Sequence, residues 1–189
     1  MKKLPTIELE RLILRPFELS DAKMVQQLAG DKDIAKTTQN IPHPYKDGMA
    51  EGWIENHEEE YDKDQTLTLA ITDKGEGHLV GAIGISLNNK NENGEIGYWI
   101  GKKYWNKGYC TEAAKGMMEF AFKEIKLNCL HARHLKRNPA SGKVMKKLGM
   151  TYEGTLRHRV KKWGGFEDTV HYSILKDEYL GMCSQEDLI

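Results

Sequence analysis

The residues with the clearest chemical use in this chain of 189 residues stand together in "YWNKGYCTEAAKG", Tyr104–Gly116. Gly108 and the small residues Cys110 and Thr111 come directly before a run whose apolar positions recur at helical spacing. The first amides of a helix lack partners within it and lie at the positive end of its dipole. Small residues there let a pyrophosphate approach the backbone closely, and Lys107 adds a charge. Glu112 supports the helix start. The nucleotide-binding patterns G-x-x-x-x-G-K-[ST] and G-x-G-x-x-G are both absent. A lone glycine ahead of a helix is more often a plain turn, so the stretch gains meaning only from its context.

Other chemical groups are less suggestive. His131 and His134 are three apart in a strand-like segment, which sends them to opposite faces and keeps them off a shared metal ion. His43 lies in a loop bracketed by prolines, where it could touch a substrate but reads better as a surface residue. Alternation in "RHRVKK" (Arg157–Lys162) puts Arg157 and Arg159 on one face, which fits a solvated hairpin better than an RNA contact. The acidic "EGWIENHEEEYDKD" could draw in a cationic amine, and is also what a water-facing helix looks like.

The elements that must position these groups follow from periodicity and punctuation. Residues 7–17 alternate as a strand ended by Pro16. Ser20 is placed to cap a helix carrying Met24, Val25 and Leu28. A second helix is expected from Asp47 to Lys63, with Trp53, Ile54, His57 and Tyr61 on one side. Segments 66–72 and 79–87 form a hairpin, and "NENGEIGYWIG" adds a strand. A helix spans Thr111–Ile125, with Ala114, Met117, Met118, Ala121 and Ile125 buried. A short strand around "LHARHL" precedes a helix with Asn138 as N-cap, Pro139 at its first position and Gly149 past its end. Two strands, "TYEGTLRHRV" and "DTVHYSIL", close the chain around "KKWGGFE". The C-terminal "GMCSQEDLI" reads as a poorly ordered tail.

This order, together with "GEIGYWI", "WNKGYC", "TEAAKGMMEFAF", "RNPASGKVMKKLGMTYEGTLR" and the opening "LERLILRPFELSDA", resembles the GNAT acetyltransferases over nearly the whole chain. Within them it is similar to the branch that acetylates ribosomal-protein N-termini (RimJ/RimL-like). The family's loop pattern, Q/R-x-x-G-x-G/A, falls on Trp105–Cys110, with Trp105 and Cys110 departing from it. The resemblance implies a mixed α/β fold with a central, mostly antiparallel sheet, splayed near the cofactor and flanked by helices. It implies one domain over residues 1–189, with a core of about 7–176 and a tail of 177–189. Acetyl-CoA is the implied co-substrate, with no metal. Its implied contacts are Trp99, Ile100, Trp105, Asn106, Lys107, Gly108, Tyr109, Cys110, Thr111 and Asn138.

Glu95, ten residues before Trp105, matches the position of relatives that use a glutamate base. A solvated strand-edge glutamate is the plainer alternative. Resemblance assigns the oxyanion to the Trp99 amide, freed by a strand distortion that Gly97 and Gly101 would permit. Many relatives have a tyrosine acid seven residues after Asn138, where this chain has Met145. Ser141, one turn into the same helix, is the candidate to protonate the thiolate, with helix N-terminal polarity as its plainer role. Asn138 either bonds the pantetheine arm or is simply an N-cap.

Composition agrees with a soluble cytoplasmic domain. Lys plus Arg and Asp plus Glu both count 28, so nothing in the net charge draws the chain to nucleic acid or a membrane. The three cysteines are unpaired in pattern, as in a reducing compartment. The resemblance implies a primary amine as acceptor, first a protein N-terminal α-amino group and second a small amine, amino acid or antibiotic. A non-catalytic acyl-CoA sensor is the rival reading. Monomer and homodimer are both open.

Overall fold

Strands β1 (Ile7–Glu8), β2 (Leu12–Arg15), β3 (Thr66–Asp73), β4 (Leu79–Asn88), β5 (Asn93–Ile100), β6 (Cys129–Leu135), β7 (Thr151–Lys162) and β8 (Gly165–Leu175) build one sheet, in the order β1-β2-β3-β4-β5-β6-β8-β7. The helices are α1 (Ala22–Ala29), α2 (Lys32–Thr37), α3 (Met49–Ile54), α4 (His57–Asp62), α5 (Tyr109–Lys123), α6 (Pro139–Lys147) and α7 (Lys176–Glu186). They come from a computed structural model that describes residues 2–186, with side chains as far as residue 184.

All neighbouring strands are antiparallel except β5 and β6. Those two run parallel, and pair only where Asn93–Glu95 face Cys129–His131. Beyond Glu95, β5 stays with β4 and β6 stays with β8, so the sheet splits into a V. This is the splayed, mostly antiparallel mixed α/β sheet expected from the sequence.

Each face is apolar for its own reason. Ile96 and Ile100 of β5 meet Ala114, Met117 and Ala121 of α5 in the main core. On the other face Ala70 and Leu79 receive Val25 and Leu28 of α1 and Ile54 of α3. At the end of the sheet Tyr179 of α7 stacks on Phe122, with ring centroids 4.8 Å apart.

Several expected elements differ. Residues 7–17 are two strands, because Leu9 turns back to donate to the Leu12 carbonyl, and the Arg11 backbone amide between them donates to Glu112. Ser20 lies inside a short 3-10 turn capped by Glu18 and Asp21, so it is not the N-cap of α1. The helix expected over Asp47–Lys63 breaks between α3 and α4, and His57 at the start of α4 is buried. In β7 the register shifts between Leu156 and Val160, with His158 at φ 52°, so Arg157 and Arg159 do not follow simple alternation. The expected tail is helical through Glu186, and its residues 187–189 lie outside the described residues. Among the described residues no helix is long and apolar enough to cross a membrane.

Candidate active site

The V between β5 and β6 opens into a cavity of about 860 Å³, lined by β4, β5, the loop before α5, the start of α6 and residues 37–41. Every candidate taken from the sequence lines it except Lys107. The Lys107 ammonium lies 5.6 Å from the Tyr104 ring centre and its carbonyl accepts from Arg11.

At one end stands the loop before α5. Gly108 has φ 81° and Asn106 has φ 61°, two left-handed residues around Lys107. Glycine reaches that region freely, and asparagine reaches it more easily than most residues. The amides of Asn106, Lys107 and Gly108 have no backbone acceptor among the described residues, so this end of the cavity presents donors to an anion. Arg11 bonds Glu112 through Nε at 2.7 Å, so that carboxylate braces the loop and is not a free base. Burial pushes the Cys110 thiol up to about 12, so it is present here as a small neutral group.

At the other end is Glu95, at the last paired position of β5 opposite His131. Arg133 Nε lies 2.9 Å from Glu95 Oε1, and His131 Nδ1 lies 3.9 Å from Oε2. Glu95 is thus a partly exposed carboxylate held by a guanidinium. His171, the register partner of Arg133, is held below the usual imidazole range, first by burial and then by Arg133. His134 points the other way; it is buried, and its Nδ1 is 2.8 Å from the Leu135 carbonyl. The two histidines therefore sit on opposite faces, as their spacing predicts.

Between the ends, one expectation fails. β5 pairs with β4 from Asn93 to Ile100 with no register shift, so the distortion that was to free the Trp99 amide is absent. Gly101 N donates to the Val80 carbonyl at 2.9 Å. The two-residue period of an antiparallel ladder then turns the Trp99 N–H toward β4 as well. The Ile96 amide closes the last parallel rung, at His131, so the backbone groups of Tyr98 and Ile100 face the gap instead, and the Trp105 indole donates to the Ile100 carbonyl at 2.7 Å.

Ser141 is not a free hydroxyl. Its Oγ donates to Tyr98 Oη at 3.1 Å, and Tyr98 Oη donates to the Ser141 carbonyl at 3.3 Å. Burial, followed by the neighbouring Cys110, raises the phenol well above its ordinary value, while the Ser141 bond opposes this. Asn138 does cap α6, with its Oδ1 3.4 Å from Ser141 N, and its amide also donates to the Thr37 carbonyl at 3.1 Å. The helix sits close to β6 because residue 142 is glycine; a Cβ there would lie 2.7 Å from His134 Nε2. Met145 is core, as its apolar type requires.

Reading the sequence missed several lining residues. Tyr98 and Arg133 reach the site only through strand register, and Lys143 and Lys147 through the face that α6 presents. Lys162 was assigned to a solvated hairpin, but it is 9% exposed. Its ammonium donates to the carbonyls of Thr38 (2.6 Å), Gln39 (3.2 Å) and Ile41 (3.3 Å). No residue of the last hairpin lines the cavity; the hairpin acts on it through this lysine. His43 does not line it either.

Known proteins agree with this geometry. Residues 11–151 match the family model described as an acetyltransferase (GNAT) domain. An uncharacterized N-acetyltransferase, p20, of Bacillus licheniformis is 32% identical over 93% of this chain and 99% of its own length. A putative ribosomal N-acetyltransferase of Bacillus subtilis (strain 168) is 36% identical over 56% of this chain and 58% of its own. A solved GNAT-family acetyltransferase from Bacillus anthracis superposes with a TM-score of 0.80 at 29% identity, covering 92% of this chain and 100% of that one. With a domain model spanning most of its length and a full-length relative above 30% identity, the chain belongs to the GNAT acetyltransferase family and is an acyltransferase.

Proposed function

We propose that the protein moves the acetyl group of acetyl-CoA to the α-amino group of a polypeptide N-terminus, within a ternary complex in the cytoplasm. The observation that carries the proposal is the split sheet, which joins an anion-receiving loop at one end to a positioned carboxylate at the other. Acetyl-CoA supplies the thioester. Asn106, Lys107, Gly108, Tyr109, Cys110 and Thr111 hold its pyrophosphate, with Trp105, Trp99, Ile100 and Asn138 along its arm.

Glu95 takes the proton from the attacking amine. The charge that develops on the carbonyl oxygen falls to an amide facing the gap, that of Tyr98 or Ile100. As the carbon–sulfur bond breaks, the electron pair stays on sulfur, and the Tyr98 hydroxyl turns from the Ser141 carbonyl to donate its hydrogen bond to the sulfur. Ser141 acts behind Tyr98 by donating to the phenol oxygen. Because burial keeps that phenol protonated, water completes the thiol.

The lining favours a peptide over a polyamine. Among the described residues only one carboxylate, Glu95, lines the cavity, and Arg133 already engages it. A polycation needs several such groups. Thr66, Thr68 and Ser86, together with the backbone of residues 37–41, offer instead the neutral donors and acceptors that suit a peptide main chain. The putative ribosomal relative supports the same acceptor.

The test is thiol release from acetyl-CoA against N-terminal peptides, free amino acids, a polyamine and an aminoglycoside, alongside calorimetric titration with acetyl-CoA. Peptides should give the highest kcat/KM. A polyamine or aminoglycoside that outpaces every peptide sinks the acceptor assignment, and failure to bind acetyl-CoA sinks the whole reading.

A further inference from the structure

Arg133 is anchored but not used up. Its Nε is 2.9 Å from Glu95, while Nη1 and Nη2 have no partner among the described residues. The residue lines the cavity with its side chain 36% exposed. A guanidinium already held in one orientation loses little further freedom when an anion meets its fork, and the fork matches the two oxygens of a carboxylate.

A second guanidinium, that of Arg159, stands in the same neighbourhood. Arg133, His131, Arg159 and Glu95 all act on the His171 ring, and Glu95 is the only carboxylate among them. Glu153, also on this side, accepts from Ser173. With Arg133 seated on it, Glu95 no longer presents a bare negative charge to the cleft. A second cation on the acceptor would be repelled by the guanidinium, whereas an anion would be drawn to it.

We infer that Arg133 forms an anion-reading subsite of the acceptor cleft, so that the preferred acceptor carries a carboxylate within a few bonds of the amine that is acetylated. This rests on the proposed placing of the amine beside Glu95. An aspartate or glutamate side chain at the start of a peptide and the carboxylate of a free amino acid share this chemistry.

The experiment measures the binding of matched acceptors to the CoA-loaded full chain, and kcat/KM for the same acceptors by thiol release. The set is pentapeptides with Asp or Asn at position one or two, the Lys counterpart, and free aspartate beside asparagine amide. The wild type should bind an Asp peptide about 10-fold more tightly than its Asn match, the scale of one charge-assisted bidentate contact. Arg133→Gln should bring that ratio to within about 2-fold, and Arg133→Lys should keep part of it. Working with ratios removes any loss of turnover that comes from releasing Glu95, because that loss is common to all acceptors. Equal binding of Asp and Asn peptides by the wild type, or a ratio that survives Arg133→Gln, overturns the subsite. An acid preference in binding without turnover leaves the subsite standing and defeats the transferase assignment to these acceptors. Turnover without acid preference does the reverse. Free aspartate outcompeting every Asp peptide keeps the subsite and identifies a small molecule as the source.

Discussion

Glu95 must both hold Arg133 and receive a proton, and these roles compete for the same carboxylate. Because Arg133 approaches Oε1 and His131 stands farther from Oε2, one oxygen is more available than the other. Glu95→Gln keeps the shape and removes the base. It should lower kcat by about 100-fold, the scale of general-base catalysis, and leave the calorimetric Kd for acetyl-CoA within about 2-fold. An unchanged kcat would remove Glu95 from the chemistry. The phenol and hydroxyl on the other side separate in the same way. If Tyr98 meets the sulfur and Ser141 only supports it, Tyr98→Phe should cost more kcat than Ser141→Ala, by about 10-fold. The opposite order would restore Ser141 as the direct donor.

At the scale of elements, residues 37–41 are a wall held from two sides. Asn138 at the start of α6 bonds the Thr37 carbonyl, and Lys162 at the end of β7 gathers the three carbonyls that follow. Burial, then Arg137, lowers the Lys162 pKa, and among the described residues no carboxylate pairs with it. Replacing it with Met leaves those carbonyls without their donor. Lys162→Met should raise the acceptor KM by about 10-fold, leave the acetyl-CoA Kd unchanged and cost about 2 kcal/mol in urea unfolding. Equal weakening of both substrates would show general damage rather than a loosened wall. The loop before α5 acts on the other substrate. Gly108→Val forces a branched side chain into a left-handed conformation, which costs about 1–2 kcal/mol. Its signature is a raised acetyl-CoA Kd with acceptor discrimination intact.

For the whole molecule, the most exposed weakness is acid. His57 is 3% exposed, lies against Phe17 and Trp53, and has no hydrogen bond to either ring nitrogen among the described residues. Burial lowers its pKa from 6.5 to about 4. The unfolded chain therefore takes up this proton before the folded one does. The neutral ring's contribution to stability is complete above about pH 6.5 and is lost as pH falls toward 4. The loss should be about 2 kcal/mol at pH 5 on the scale of 1.4 kcal/mol per pKa unit. Urea midpoints of wild type and His57→Phe should diverge below pH 6.5, with the variant flatter; parallel curves would assign the acid sensitivity to other groups.

How much of this was legible in the sequence depends on the range of the interaction. Punctuation and period are local, so the α6 cap at Asn138–Pro139, the helix after Gly108 and the β3–β4 hairpin could be read directly. The loop residues near Gly108 were legible for the same reason. Elements decided by distant partners were not. Arg11 turns the first strand because Glu112, 101 positions away, takes its amide, and the supposed tail is a helix because Phe122 receives Tyr179.

By itself the sequence determined the order of elements, the amide-rich loop and the presence of Glu95, all properties of neighbouring residues. Only the tertiary structure decided which strand face meets which. Register turned the Trp99 amide away from the gap and those of Tyr98 and Ile100 toward it. Folding brought Tyr98 to Ser141, Arg133 to Glu95 and Lys162 to the wall at 38–41. A one-residue change of register reverses every such assignment while leaving local propensity untouched, so these contacts exist only once the sheet is assembled.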